Sequence, residues 1–264
     1  MTTRTSAWPA GVPCWTDLQS PDVSVASSYY AAVMGWDVAE PDEQYGGYVI
    51  AAVDGAAVAG IGPQQAPGPS AWTLYISSDD ADATQQAVTD HGGAVLLPTG
   101  DVGPLGRMAI VADPTGAVFG VWQAGAHIGA ARVNEPGSLT WEDLRSTDPD
   151  RARAFYTGVF GYRTDPLDMA SPDYTTFSLA DREAPLGGMG GMMGAPEGAP
   201  SHWLVYFAVA DAQAAVAASA HHGGDVLAEP FATPFGHMAA LTDPFGAVFW
   251  IVESDGSNQP EWPE

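Results

Sequence analysis

Trp15 and Asp17 stand two residues apart, and so do Trp141 and Asp143. In an extended strand that spacing puts both side chains on one face, with Pro13 beside the first pair and Leu139 beside the second. A carboxylate next to indole rings is stripped of water, which moves its pKa up toward the range of a general acid or base. Asp17 and Asp143 are therefore candidate catalytic groups. The plainer alternative is that each accepts hydrogen bonds from turn amides. Glu142, one residue out of step, is expected on the opposite face, toward the helices, where a buried acid would be costly. His202, beside Trp203, and His237, after a glycine, supply imidazoles suited to the same proton transfer. A hydrogen-bonded structural histidine and a surface turn residue are the competing readings. Arg107, the counterpart of His237, could meet an anionic or carbonyl oxygen at the mouth of a strand, or be a surface turn residue.

Around these groups the sequence places Trp72, Tyr75, Trp122, Trp203, Tyr206 and Trp250 on further strands. Together with Trp15 and Trp141 they could stack a flat apolar molecule. Residues 186–194 read Leu-Gly-Gly-Met-Gly-Gly-Met-Met-Gly. Glycines give hinge freedom and thioethers adapt to varied aromatic shapes, so Met189, Met192 and Met193 form a candidate flap over the second of two cavities. The first-half equivalent, Gly60-Ile61-Gly62-Pro63, has no methionine.

The elements that must hold these residues are written twice. Asp113-Pro114-Thr115-Gly116-Ala117-Val118-Phe119 recurs as Asp243-Pro244-Phe245-Gly246-Ala247-Val248-Phe249, each a turn entering a strand. His91-Gly92-Gly93 recurs as His222-Gly223-Gly224, and Trp15, Asp17, Tyr30 and Gly35 as Trp141, Asp143, Tyr156 and Gly161. A period near half the chain means tandem domains and not a solenoid. Within each half a strand, a helix and three strands occur twice. Asp22 opens the first helix, with Val25, Tyr29 and Val33 as its expected buried stripe and Gly35 as its end. Asp148 and Pro149 open its counterpart, whose core face is Phe155, Tyr156, Val159 and Phe160. His91 and His222 lie at helix ends, where the helix dipole accounts for them. The fold class read here is α+β, four βαβββ modules in two tandem domains. An arm at 1–11, a first domain at 12–123, a linker at 124–137, a second domain at 138–253 and a tail at 254–264 complete the division.

Apolar content of 46% over 264 residues supports two packed cores. Eight basic residues, all arginine, against 32 acidic ones give a net charge of −24, which disfavours binding to nucleic acid. Cys14 is the single cysteine, in keeping with a reducing compartment. No apolar run spans a membrane and the N-terminus lacks an apolar signal core, so a cytoplasmic protein with no membrane partner is expected.

The tandem modules, the repeated Asp-Pro-x-Gly-Ala-Val-Phe turns, the start Pro13-Cys14-Trp15-Thr16-Asp17-Leu18 and the linker residues 127–137 resemble the glyoxalase/bleomycin-resistance/extradiol-dioxygenase superfamily, also called vicinal oxygen chelate. Within it the chain is similar to two-domain actinobacterial glyoxalase-like proteins. The resemblance implies curved mixed sheets forming open barrels around concave cavities, with the faces of Trp15 and Trp141 turned inward. It also implies a divalent metal held from the first and last strands. Carried over, those positions are Trp15, Gly120, Trp141 and Trp250, none of which can ligate a metal. His202 is the single imidazole near an intermediate ligand position, and His127 lies in the linker. The expectation is thus no metal and no cofactor. The chain would bind a hydrophobic or aromatic metabolite and could work as a monomer, since four modules complete their cavities internally. The alternatives are a natural-product tailoring enzyme (lyase, isomerase or cyclase) using Asp and His, and a metal-dependent lyase or dioxygenase.

Overall fold

Asp22, Asp80, Asp148 and Asp211 each start a helix in the same way, the carboxylate accepting the backbone N–H three residues on, from Val25, Ala83, Arg151 and Ala214. The helices are α1 (Val23–Met34), α2 (Ala81–Asp90), α3 (Pro149–Phe160) and α4 (Ala212–His221). Gly35 and Gly161 end α1 and α3 with φ of 72° and 69°, a conformation that favours glycine. His91 and His222 end α2 and α4, and His91 Nδ1 lies 2.8 Å from the Ala87 carbonyl. The computed structural model describes residues 3–65, 68–167 and 173–254. Parts of the arm, of the loop after Pro63 and nearly all of the expected tail lie outside the described residues.

In the first half the strands are β1 (Pro13–Ser20), β2 (Asp37–Val38), β3 (Val49–Val53), β4 (Ala56–Pro63), β5 (Ala71–Ser77), β6 (Ala94–Asp101), β7 (Gly106–Ala112) and β8 (Val118–Ala124). They form one eight-stranded sheet in the order β2-β3-β4-β1-β5-β8-β7-β6. The second half repeats it as β9 (Leu139–Arg145), β10 (Arg163–Pro166), β11 (Thr175–Ser178), β12 (Gly187–Gly190), β13 (His202–Val209), β14 (Asp225–Thr233), β15 (Gly236–Thr242) and β16 (Val248–Glu253), ordered β10-β11-β12-β9-β13-β16-β15-β14. Each sheet stays open between its edge strands, curved and not a closed barrel. The first strands of the two modules, β1 with β5 and β9 with β13, meet antiparallel at the centre.

Two helices per sheet cannot cover eight strands, and the halves solve this by sharing one core. Helix α1 packs against α4 of the other half, and α2 against α3. The Tyr29 hydroxyl sits 2.6 Å from Ser219 Oγ and donates to the Thr242 carbonyl. Tyr30 stacks on Trp36 and meets Phe249 of the second half at 5.4 Å, while Phe207 of that half contacts both Trp36 and Trp72. The mirror arrangement sets Phe119 against Phe155 and Tyr156. This sharing changes which residues of α1 are buried: Tyr29 and Tyr30 both are, because each faces a different sheet, whereas Val25, expected in the stripe, is 43% exposed.

The same core claims two residues expected in the cavities. Trp72 donates to the Tyr30 hydroxyl at 3.1 Å and Trp203 to the Tyr156 hydroxyl at 2.9 Å, so both indoles face the helices. Trp72 lies three positions from Tyr75, and Trp203 three from Tyr206; an odd spacing in a strand means opposite faces. Met189, fully buried and paired in register with Leu144, also faces this side and is not part of a flap.

Glu142 does point to the helix side, and there its carboxyl is wholly buried with neither oxygen hydrogen-bonded among the described residues. Burial, then the nearby Asp143 carboxylate, pushes its pKa well above the ordinary range. Because the folded-state pKa is raised, the unfolded chain loses this proton first as pH climbs past about 4.5, so Glu142 increasingly favours unfolding until the pH passes its folded value. Glu142→Gln should flatten this dependence, with a thermal midpoint that gains more over wild type at pH 8 than at pH 5. Equal gains or losses at both values, read by calorimetry, would show that Glu142 does not titrate this way.

Candidate functional site

On the concave face of the first sheet, Trp15, Tyr75 and Gly120 lie side by side in register, as do Asp17, Thr73 and Gly60. Gly60 and Gly120 have a clear purpose. A Cβ at Gly60 would collide with the Tyr48 hydroxyl, and one at Gly120 with the Tyr75 ring, so the glycines let two tyrosines cross neighbouring strands toward Asp17. Tyr75 donates to Asp17 Oδ2 at 3.0 Å and Tyr48 to the same oxygen at 3.4 Å, while Trp15 Nε1 donates to the Tyr48 hydroxyl at 3.0 Å. Asp17 Oδ1 is buried without any partner among the described residues. Leaving such an oxygen unsatisfied costs roughly 1–3 kcal/mol. Burial raises the Asp17 pKa to about 7, opposed by the hydrogen bonds from Tyr75 and Tyr48. In turn burial, and then the Asp17 charge, holds both phenols well above their usual pKa.

The linker closes this face. His127 packs edge-on against Trp15 at 4.5 Å and against Trp122 at 5.5 Å, and its carbonyl accepts from Trp122 Nε1 at 2.9 Å. Burial lowers the His127 pKa to about 4, which leaves the imidazole neutral at pH 7. Trp15, Tyr75 and Trp122 are all buried here.

The second half repeats the geometry with a different outcome. Asp143 Oδ1 accepts from Tyr174 at 2.6 Å and Trp141 Nε1 at 3.0 Å, and Oδ2 from Tyr206 at 2.8 Å and Arg145 Nη2 at 2.7 Å. Tyr174 is to Asp143 what Tyr48 is to Asp17, and Gly188 makes room for it as Gly60 does. Gln19 takes the place of Arg145 in the first half. One carboxyl is thus an incompletely bonded acid near neutrality, and the other a four-donor ion pair. Trp250 stacks on Tyr206 at 5.6 Å, and the exposed Phe231 meets it edge-on.

The remaining expected residues stand elsewhere. Arg107 is tied to Asp82 at 2.7 Å and Asp101 at 2.9 Å on the surface, which leaves it a structural strut and not a ligand contact. His237 is exposed and lies 3.6 Å from Glu253, with no bond to Asp143. His202 Nδ1 is 2.8 Å from the Pro200 carbonyl, and its Cα pairs in register with that of Arg145. Met192 sits half-buried in the loop after β12, and Met193 brings its sulfur to Arg145 Nη1. Tyr48, Tyr174 and Arg145 were not singled out from sequence, although the two tyrosines share the 126-residue offset of Trp15 and Trp141.

The paired-module architecture defines the class. A model described as the glyoxalase/bleomycin resistance protein/dioxygenase superfamily matches residues 14–121 and again 136–251, and the chain belongs to that family. It is 42% identical over 260 residues to "Putative glyoxylase CFP32" of Mycobacterium tuberculosis (strain CDC 1551 / Oshkosh), covering 95% of this chain and 97% of that one. It is 37% identical over 259 residues to "Anthracycline biosynthesis protein DnrV" of Streptomyces peucetius, covering 92% and 93%. Its fold matches the Mn(II)-bound glyoxalase from Novosphingobium aromaticivorans with a TM-score of 0.68 at 14% identity, over 96% of this chain and 84% of that one. A metal of that kind does not fit the residues carried to the ligand positions, Trp15, Gly120, Trp141 and Trp250. Nor do three or more His, Cys, Asp or Glu cluster to hold one among the described residues. No helix among them is long and apolar enough to cross a membrane.

Tyr75→Phe deletes a donor that favours ionised Asp17, so the carboxyl should titrate above its wild-type midpoint of about 7. Carbon NMR of labelled aspartate would follow it, and a wild-type midpoint below about 5, near the ordinary carboxyl value, would contradict the geometry.

Proposed function

We propose that this chain binds a planar, oxygen-bearing aromatic metabolite on its concave faces without a metal, and that in the first domain Asp17 exchanges a proton with it. One observation carries the reading: Asp17 is a buried carboxyl with one oxygen unpartnered and the other held by Tyr75 and Tyr48. Such a group is poised to take a proton from an acidic C–H or O–H, or to return one, and Tyr75 can donate a hydrogen bond to the oxygen that becomes charged. Proton removal of this kind opens lyase, isomerase and cyclase reactions of an aromatic ketone, and the same carboxyl can return the proton to the product. The relatives with anthracycline biosynthesis names support a polycyclic aromatic substrate, and the indoles and phenols of both concave faces suit its stacking. Entry requires His127 to move off Trp15, which then offers its ring to the substrate. The protein acts as a monomer, since each sheet is completed within the chain.

A second reading, sequestration without conversion, draws support from the second domain, where Asp143 is fully hydrogen-bonded and has no oxygen to spare.

The test is to incubate the protein with the aromatic metabolites extracted from an anthracycline-producing Streptomyces culture and to follow them by mass spectrometry. Wild type should convert one compound, and Asp17→Asn should slow conversion by roughly 100-fold or more while still retaining the compound on the protein. Capture of a compound with no conversion by wild type establishes sequestration, and equal conversion by Asp17→Asn removes Asp17 from the chemistry. Trp15→Ala should weaken retention by roughly 1–3 kcal/mol in either case. Unchanged retention would place the ligand elsewhere.

A further inference from the structure

Arg145 holds more hydrogen-bonding capacity than its neighbours use. A guanidinium has five N–H donors in a planar fork. Nη2 serves Asp143 Oδ2 at 2.7 Å and the Tyr206 hydroxyl at 3.4 Å, but Nη1 meets only the sulfur of Met193, a weak acceptor, and Nε has no acceptor among the described residues. Asp143 needs no further donor, because Trp141, Tyr174 and Tyr206 already supply three besides Arg145. The side chain is nevertheless 90% buried, with 10% of its surface exposed. A nearly buried cation whose free edge faces a thioether is a cation awaiting an oxygen.

Three neighbours give that edge a setting. His202 is the direct cross-strand partner of Arg145 and so shares its face, with Nδ1 engaged by the Pro200 carbonyl and Nε2 left to point away from it. Tyr206 links the guanidinium to an aromatic platform, because its ring stacks on Trp250, which Phe231 extends outward. Met193 belongs to a loop between Gly191 and Gly194, is 42% exposed and has a φ of 36°, an unfavourable value for a residue with a side chain. The first domain has Gln19 and Ala71 where the second has Arg145 and His202, so the feature exists in one half alone.

We infer that the concave face of the second domain is a recognition site for an aromatic carboxylate: the oxygens bond to Arg145 Nη1 and His202, the ring lies against Trp250 and Phe231, and the Met193 sulfur is a place-holder that the ligand displaces. The site is separate from Asp17 and stands whether or not Asp17 is catalytic. No bond is made or broken there.

The probes are 2-naphthoate and the isosteric neutral 2-naphthamide, titrated calorimetrically against the full chain. Wild type should prefer the carboxylate by about tenfold or more, the scale of a charge-assisted pair. Replacing the pair together, Asp143→Asn with Arg145→Gln, removes both charges without orphaning either and should reduce the preference to about twofold or less. Met193→Ala leaves the ion pair intact and should tighten naphthoate by about threefold or more, since nothing need be displaced. His202→Phe should weaken naphthoate and not naphthamide. Asp17→Asn should leave the preference unchanged. Equal affinity for the two probes in wild type, or no naphthoate binding at all, overturns the proposal. So does a preference that persists in the folded double variant. Should that variant fail to fold, the Met193 and His202 variants decide, and naphthoate affinity unchanged in both overturns it.

Discussion

Everything in this molecule depends on one shared apolar layer. Each sheet has eight strands and two helices, too few to bury its convex side, and the helices of one half therefore complete the cover of the other. Burying aromatic surface is worth about 25 cal/mol per Å², and Tyr30, Trp36 and Trp72, packed on one another, also meet Phe207 and Phe249 across the boundary. The polar atoms inside are arranged to suit: Trp72 donates to the Tyr30 hydroxyl, Trp203 to that of Tyr156, and Trp36 to the Gly137 carbonyl. Glu142, at the same depth, finds none. With the helix sides committed to each other, the concave faces carry the two central carboxyls, the first of them closed over by the linker.

The two faces show two ways of keeping a carboxyl out of water. At Asp143 the charge is retained and surrounded, by a guanidinium, two phenols and an indole. At Asp17 the cation is missing and one oxygen has no donor, so the cost of burial is met by a raised affinity for a proton. Two substitutions of partner make the difference: Gln19 stands where the second half has Arg145, and Trp15 donates to Tyr48 where Trp141 donates to Asp143 itself. A duplicated scaffold thereby holds a buried carboxyl of raised pKa in one half and an anchored cation in the other.

Much of the architecture was legible because its signals are local or repeated. The Asp helix starts, the glycine ends and the Asp-Pro-x-Gly turns each specify their own backbone, and the Asp113 and Asp243 carboxylates do accept the turn amides of residues 115 and 117 and of 245 and 247. The face shared by Trp15 and Asp17 followed from strand period alone. What failed to show was whatever depends on the other half or on a distant strand. Trp72 and Trp203 share their strands with Tyr75 and Tyr206, yet parity puts them on the helix side and out of the cavities. Val25 misled because a single-helix stripe ignores a second partner. Tyr48 and Tyr174 reach the carboxyls only by crossing a glycine in another strand, and no pattern within their own segments announces it.

The linker that closes the first concave face is also the only covalent connection between the halves. His127 sits on Trp15 while Ala130 and Ala131, three and four residues on, are hydrogen-bonded to the backbones of Cys14 and Ala57. Cover and tether are one piece of chain, clamped just downstream of His127. Tension carried along the linker from the second half would meet Gly137, bonded by Trp36, then the Arg132–Asp54 pair and those two backbone clamps before it reached His127. The imidazole that packs on Trp15 is in this sense mechanically insulated from movements of the second domain, and answers to what happens on its own side of the molecule.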